Sequence, residues 1–292
     1  MPSLRDIRRR IKSVKNTAQI TKAMQMVAAS KMRKAQEAAL AGRPFMEMFN
    51  RVLTAVFDKG GALNHPLLKS VEDTKPAILV ITTDKGLCGP LNTNLLREVG
   101  GLPANTVFLS VGRKGRQFLA RTNRDLLADF VVSEKVAFAE ARQISKFIME
   151  KFLAAEITSF SIFFSRFKNT LVQVPQRIDL LPMTQMSRLE SDTALEGAAA
   201  NIVEDPVVEY QFEPEPSAVL DYILPQYVHF VTYQAILSAR ASEHSARMVA
   251  MKSATDNAKQ LVKDLTLEYN KARQAGITNE ILEIASAQMA MN

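Results

Sequence analysis

A chain of 292 residues with 47% apolar and 23% charged side chains is long enough for one large core or two ordinary ones, and its composition is that of a globular protein. It has no run near the roughly 20 uninterrupted apolar residues of a membrane-spanning helix, its one cysteine, Cys88, excludes an internal disulfide and suits a reducing compartment, and its three histidines lack metal-ligand spacing. The net charge of +7 is uneven: residues 1–45 carry eleven Lys or Arg against Asp6 and Glu37, a balance that calls for an anionic partner.

The N-terminus lacks the apolar run of a secretory signal. Asp6 among the arginines argues against a transit peptide, so an ordered helix is expected at once. Ser3 followed by Asp6 predicts its start. Leu4, Ile7, Ile11, Val14, Ala18, Thr21, Gln25, Ala28, Met32, Ala35 and Ala39 recur in steps of three and four, the seam of a coiled coil. Ile20, Met24 and Val27 form a second apolar stripe, which a two-helix hairpin does not need and a further partner would use. Gly42 and Pro44 predict a kink, with helix resuming through Phe57.

The middle alternates strand and helix. Strands are expected at Pro76–Thr83, Thr106–Val111 and Asp129–Ser133, with helices over Leu91–Val99, Lys114–Arg121 and Glu134–Ala155. Ile157–Arg166 and Thr170–Ile178 follow as a hairpin joined through Asn169. This order predicts a mostly parallel, Rossmann-like sheet with an antiparallel edge. Residues 187–206 give no definite pattern, and Pro214 and Pro216 stiffen the approach to the last helix.

From Tyr227 a second heptad register runs through Phe230, Gln234, Leu237, Ala241, His244, Met248, Met251, Thr255, Ala258, Val262, Leu265, Tyr269 and Ala272. If helical to its end, the segment from Gln226 spans roughly 90–100 Å, longer than a domain of this size is wide. The two patterns at the chain ends pair most simply as an antiparallel coiled coil. The expected fold class is therefore α/β with long helices: an antiparallel coiled coil of the N- and C-terminal helices (1–58 and 217–292) plus a central Rossmann-like α/β domain (75–205).

No catalytic constellation emerges. The loop Asp84–Gly89 has neither the dinucleotide fingerprint nor the P-loop spacing, and Gly112 and Gly115 do not supply either. A tight strand-to-helix turn accounts for these glycines. Cys88 has no companion histidine motif and is expected as a buried or half-buried thiol, and His244, on the seam, as an internal polar contact. No cofactor and no metal are expected.

Three stretches resemble the gamma subunit of F-type ATP synthases: RIKSVKNTAQITKAMQMVAASKMRKAQ at Arg10–Gln36, TTDKGLCGPLNTN at Thr82–Asn94, and ASEHSARMVAMKSATDNAKQ at Ala241–Gln260 with YNKARQAGITNEILEI at Tyr269–Ile284. The resemblance covers essentially the whole chain. It implies a non-catalytic shaft standing in a ring of alternating alpha and beta subunits, its base meeting the epsilon subunit and the membrane rotor ring of c subunits. It implies that proton- or sodium-driven rotation of that ring is coupled to ATP synthesis or hydrolysis in the beta subunits. The chain would then lie at the cytoplasmic face of the bacterial inner membrane, held there through the complex alone.

By motif, Met24 corresponds to the shaft position facing an acidic beta segment, and Lys22, Lys31, Arg33 and Lys34 to the basic surface around it. Arg247, Gln274, Thr278 and Glu280 match positions that engage a beta loop or support that contact. Tyr210 and Glu213 resemble the foot on the rotor ring. The tip from Ile277 carries only Glu280 and Glu283 as charges, so Ile281 and Ile284 are expected inside an apolar collar. Two departures from the family pattern stand out, Pro90 where a glycine is usual and the C-terminal ASAQMAMN, and the chloroplast two-cysteine insertion is absent. The rival reading is a basic coiled-coil nucleic-acid-binding protein, although aromatic–basic interleaving is lacking. An enzyme built on the Rossmann-like middle ranks third.

Overall fold

The computed structural model describes residues 3–58, 65–69, 75–183, 211, 213 and 215–291. They divide into two compact units, Met1–Ala28 with Arg247–Asn292, and Ala29–Ala246. Helix α1 (Leu4–Ala41) and helix α6 (Pro216–Met291) contribute to both.

In the first unit, coverage follows the seam read from the sequence. On α6, Met251, Thr255, Ala258 and Leu265 are buried and Val262, Tyr269 and Ala272 half-buried, while the residues between them are almost all exposed. On α1, Ile7 and Ala28 are buried and Ile11, Val14, Ala18 and Thr21 half-buried. The helices meet at Thr21 and Thr255, whose hydroxyls lie 2.7 Å apart. The Thr21 hydroxyl also lies 3.1 Å from the Ala18 carbonyl and that of Thr255 2.8 Å from the Met251 carbonyl, so this polar step of the seam, next to Gln25, is accommodated within each helix as well as between them. Of the second stripe, Ile20 and Val27 are uncovered, 60% and 54% exposed, while Met24 is half-buried.

The larger unit is built on a five-stranded sheet of order β3-β2-β1-β4-β5. Its strands are β1 (Pro76–Ile81), β2 (Val107–Val111), β3 (Asp125–Phe130), β4 (Ser159–Phe167) and β5 (Gln173–Leu181). β1, β2, β3 and β4 are parallel and β5 returns antiparallel beside β4. That return is set by Asn169, whose Oδ1 accepts from the N–H groups of Leu171 and Val172 and closes the turn.

Alternate residues of β1 enter different cores. Ile78 and Val80 pack with Leu95 and Val99 of α3 (Leu91–Gly100) and Leu119 of α4 (Arg113–Arg121). Ala77, Leu79 and Ile81 join the larger core with α5 (Phe138–Leu153), α2 (Arg43–Asp58) and α6. Both faces are therefore covered, as a parallel sheet requires.

The expected kink falls at Gly42, between α1 and α2. The fit is close: a Cβ there would lie 1.8 Å from Nε2 of Gln234 and 3.1 Å from the Phe230 ring, so a larger residue would have to displace the end of the Gln234 side chain. Beyond it, Phe45 meets Phe230 and Phe49 meets Tyr227, so α2 and α6 run antiparallel.

Several boundaries differ from expectation, among them the second hairpin strand, which is Gln173–Leu181 rather than Thr170–Ile178. The third strand is Asp125–Phe130 rather than Asp129–Ser133. Val131 is 85% exposed and the Val132 carbonyl accepts from Arg240, so the apolar FVVS run leaves the sheet instead of continuing it. Helix α5 starts at Phe138 rather than Glu134 because the Glu140 carboxylate reaches back to the Ala137 N–H and to Ser133, fixing the helix start there. Burial pushes the Glu140 carboxyl up, but these hydrogen bonds and the Arg240 charge outweigh it and hold the group below its ordinary value.

Gly112 lies at φ +94 and a Cβ on it would sit 2.3 Å from the Thr82 carbonyl oxygen. Gly112→Ala is expected to destabilise the protein by about 2 kcal/mol or more, whereas Gly86→Ala, where a Cβ meets nothing within 4 Å, should change it little. Urea unfolding of both variants checks the contrast.

Candidate functional site

In a doubly wound sheet, ligands bind outside the carboxyl ends of the strands, where the strand order reverses. Here that point lies between β1 and β4, and α6 fills it. Ser238 Oγ accepts from the Phe167 N–H at 3.3 Å, and Ser245 Oγ donates to the Thr170 carbonyl at 2.7 Å. Arg240 donates from Nη2 to the Val132 carbonyl at 3.0 Å and to Asp84 Oδ2 at 3.5 Å, and from Nη1 to Glu243 Oε2 at 2.9 Å. What remains beside Thr82, Asn92 and Ser165 is a void of about 10 Å³, room for one water at most.

The glycine loop serves the same closure. Thr82 Oγ1 accepts from the Gly115 N–H at 2.8 Å, and Arg113 N–H donates to Asp84 Oδ1 at 3.1 Å. Gly112 and Gly115 let α4 approach Thr82; a Cβ on Gly115 would stand 2.9 Å from Thr82 Oγ1. Cys88 is buried against Leu91 and Ala246, with the Asn92 amide 3.4 Å from its sulfur. Pro90 stands at the start of α3, where a fixed φ and a missing N–H are tolerated.

The predicted interface residues do not form one cluster. Lys22 is exposed and Met24 half-buried on α1, and Arg247 is half-buried on α6. Gln274, Thr278 and Ile281 follow at helical spacing and are exposed, with Glu280 and Ile284 beside them. From Arg247 to Gln274 the helix rises roughly 40 Å. Ile281 is 60% and Ile284 68% exposed. Arg33 and Lys34 are exposed, while Lys31 is half-buried and forms an ion pair with Glu134. That hydrogen bond holds the Glu134 carboxyl below its ordinary value against desolvation, with help from the charges of Lys31, His244 and Lys85. His244 is itself buried. Glu213 is exposed, and Tyr210 lies outside the described residues.

Sequence reading missed Asp84, Arg240 and Glu243. Arg240 and Glu243 stand three apart on a helix, an everyday surface spacing. Only their burial, with side chains 12% and 7% exposed, sets them apart.

A doubly wound sheet with its ligand crevice filled by one member of a long helix pair defines a class of helix-pair protein. Comparison with known proteins gives the family. The family described as ATP synthase matches residues 3–291. The ATP synthase gamma chain of Opitutus terrae is 52% identical over 99% of both chains, and that of Methylacidiphilum infernorum 50% identical over the full length of both. Among solved structures, the central stalk and c-ring of Tetrahymena thermophila mitochondrial ATP synthase contains a chain that is 28% identical. It aligns with a TM-score of 0.59 over 80% of this chain and 99% of that one. A chain of Euglena gracilis mitochondrial ATP synthase in rotational state 3 shares the fold, at 21% identity, TM-score 0.67, and coverage of 99% of this chain and 94% of that one. This chain belongs to the ATP synthase gamma chain family, which displaces the nucleic-acid reading of its charge.

Where α5 meets α6, Ser145 Oγ and His229 Nδ1 lie 2.6 Å apart, both buried. Burial lowers the His229 pKa below 6.5, and Arg142 adds to the effect; His65 is lowered too, chiefly by burial. A histidine kept neutral in the fold binds its proton more readily when unfolded, so stability should fall as pH drops from about 7.5 to 5.5. Urea midpoints across that range should show the fall, and His229→Asn should make it shallower.

Proposed function

We propose that this chain is the central rotor shaft of a bacterial F-type ATP synthase. The observation that carries the reading is 50–52% identity to gamma chains over at least 99% of the chain, joined to a sheet whose ligand crevice is filled by the chain's own α6. With that crevice closed, the reading places the chemistry elsewhere, in the beta subunits of a surrounding alpha–beta ring. The chain's part is mechanical. As it turns, each beta subunit meets a different face of α1 and α6, and the difference in contact energy between faces favours one beta conformation over the others.

In this reading residues 1–58 and 217–292 form the shaft and 75–205 its base. Lys22, Arg33 and Lys34 are offered to acidic beta segments, with Met24 passing among them and Lys31 shared with Glu134. Arg247, Gln274, Thr278 and Glu280 engage a beta loop, and Ile281 and Ile284 turn within an apolar collar. Tyr210 and Glu213 form the foot on the c-subunit ring, and the epsilon subunit joins the base. No helix among the described residues is long and apolar enough to cross a membrane, so attachment at the cytoplasmic face of the inner membrane would run through the complex. Whether protons or sodium drive the ring is set by the c subunits.

Reconstitution with cognate alpha and beta subunits, with a bead on a surface cysteine engineered into the central domain, tests the reading. Unidirectional, ATP-dependent rotation in threefold steps is expected. A chain that does not join the ring, beside a known gamma subunit that does, would overturn it. Within the working complex, Ile281→Asp with Ile284→Asp should weaken assembly or torque, because two charges would be desolvated in the collar.

A further inference from the structure

A helix lying on an apolar surface resists being pulled away far better than it resists sliding or turning, because a small shear exchanges one set of van der Waals contacts for another. A helix that must carry torque into a sheet needs directional ties as well. Arg240 has the geometry for that. Glu243, one turn further along α6, holds Nη1 and so fixes the side chain to its own helix. Nη2 then reaches two separate loops, the Val132 carbonyl after β3 and Asp84 after β1. The second oxygen of Asp84 accepts from the backbone of α4. One planar guanidinium thus links α6 to points on both sides of β2, and its fork tolerates little rotation. The other side-chain ties found between α6 and the loops after β4, through Ser238 and Ser245, are uncharged.

We propose that Asp84, Arg240 and Glu243 form the torsional joint through which α6 and the sheet turn as one body, with Arg240 as the positioning residue. The proposal rests on the rotor reading above. It assigns the stiffness of the shaft's base to one partly buried charge cluster rather than to apolar packing.

The test uses the assembled rotary complex, the ring fixed and a bead on the central domain, with the angular spread of the bead measured while rotation is paused. Three forms are compared with the parent: Arg240→Met, Arg240→Lys, and the triple variant Asp84→Asn, Arg240→Met, Glu243→Gln, which leaves no buried charge unpaired. Loss of the directional ties should widen the angular variance about twofold in the Met and triple variants, with Arg240→Lys between them and the parent. If Arg240→Met does not assemble, the triple and Lys variants carry the comparison. Variants that melt at lower temperature but keep the parental spread would show that the cluster only stabilises the fold, and would overturn the proposal. A parent complex that does not rotate would instead remove the rotor reading itself.

Discussion

No residue of α6 from 223 to 250 is exposed, yet that stretch holds Thr232, Gln234, Arg240, Glu243, His244 and Ser245. Burying so many polar groups is costly unless each finds a partner. For Arg240 and Ser245 the partners are supplied by the loops at the carboxyl ends of β1, β3 and β4, while Thr232 bonds its own helix and Glu243 bonds Arg240. The rest of the larger unit depends on this exchange. The loops cannot cradle a ligand because they are bonded to a helix, and the helix cannot shift without orphaning its polar groups. Two atoms escape the rule: Gln234 Nε2 and Ser242 Oγ are buried without a hydrogen-bond partner.

Beyond Arg247 the same helix obeys a different rule. Only one stripe is covered, small and medium side chains line it, and the remaining faces carry uncovered apolar residues such as Leu261, Leu267, Ile281 and Ile284. Scattered apolar exposure is ordinary, but a succession of it along paired helices suits surfaces that meet other chains. For a member of the gamma chain family this is coherent. A shaft should contact its surroundings through many weak, replaceable contacts, since a single strong one would hold it at one angle.

The charge distribution fits the same logic. Arg33 and Lys34 stay exposed, while Lys31 is drawn back to Glu134. A partly exposed ion pair contributes little to stability. Its cost to an outside partner is small too, because an acidic segment could compete for Lys31 without leaving a deeply buried charge behind.

Sequence alone determined the helical seams and the antiparallel edge. Apolar spacing of three and four, or of two, is a one-dimensional record of which face is covered, and Asn169 marks its turn locally. It also carried the family, through long motifs on both end helices. It misplaced β3, because an apolar run such as FVVS looks like a strand whether or not it has a neighbour to pair with. It passed over Asp84, Arg240 and Glu243 because an arginine and a glutamate three apart on a helix look the same in water and under a sheet. Which polar residues are buried depends on what the fold brings above them from more than a hundred positions away. That was decided by the tertiary structure alone.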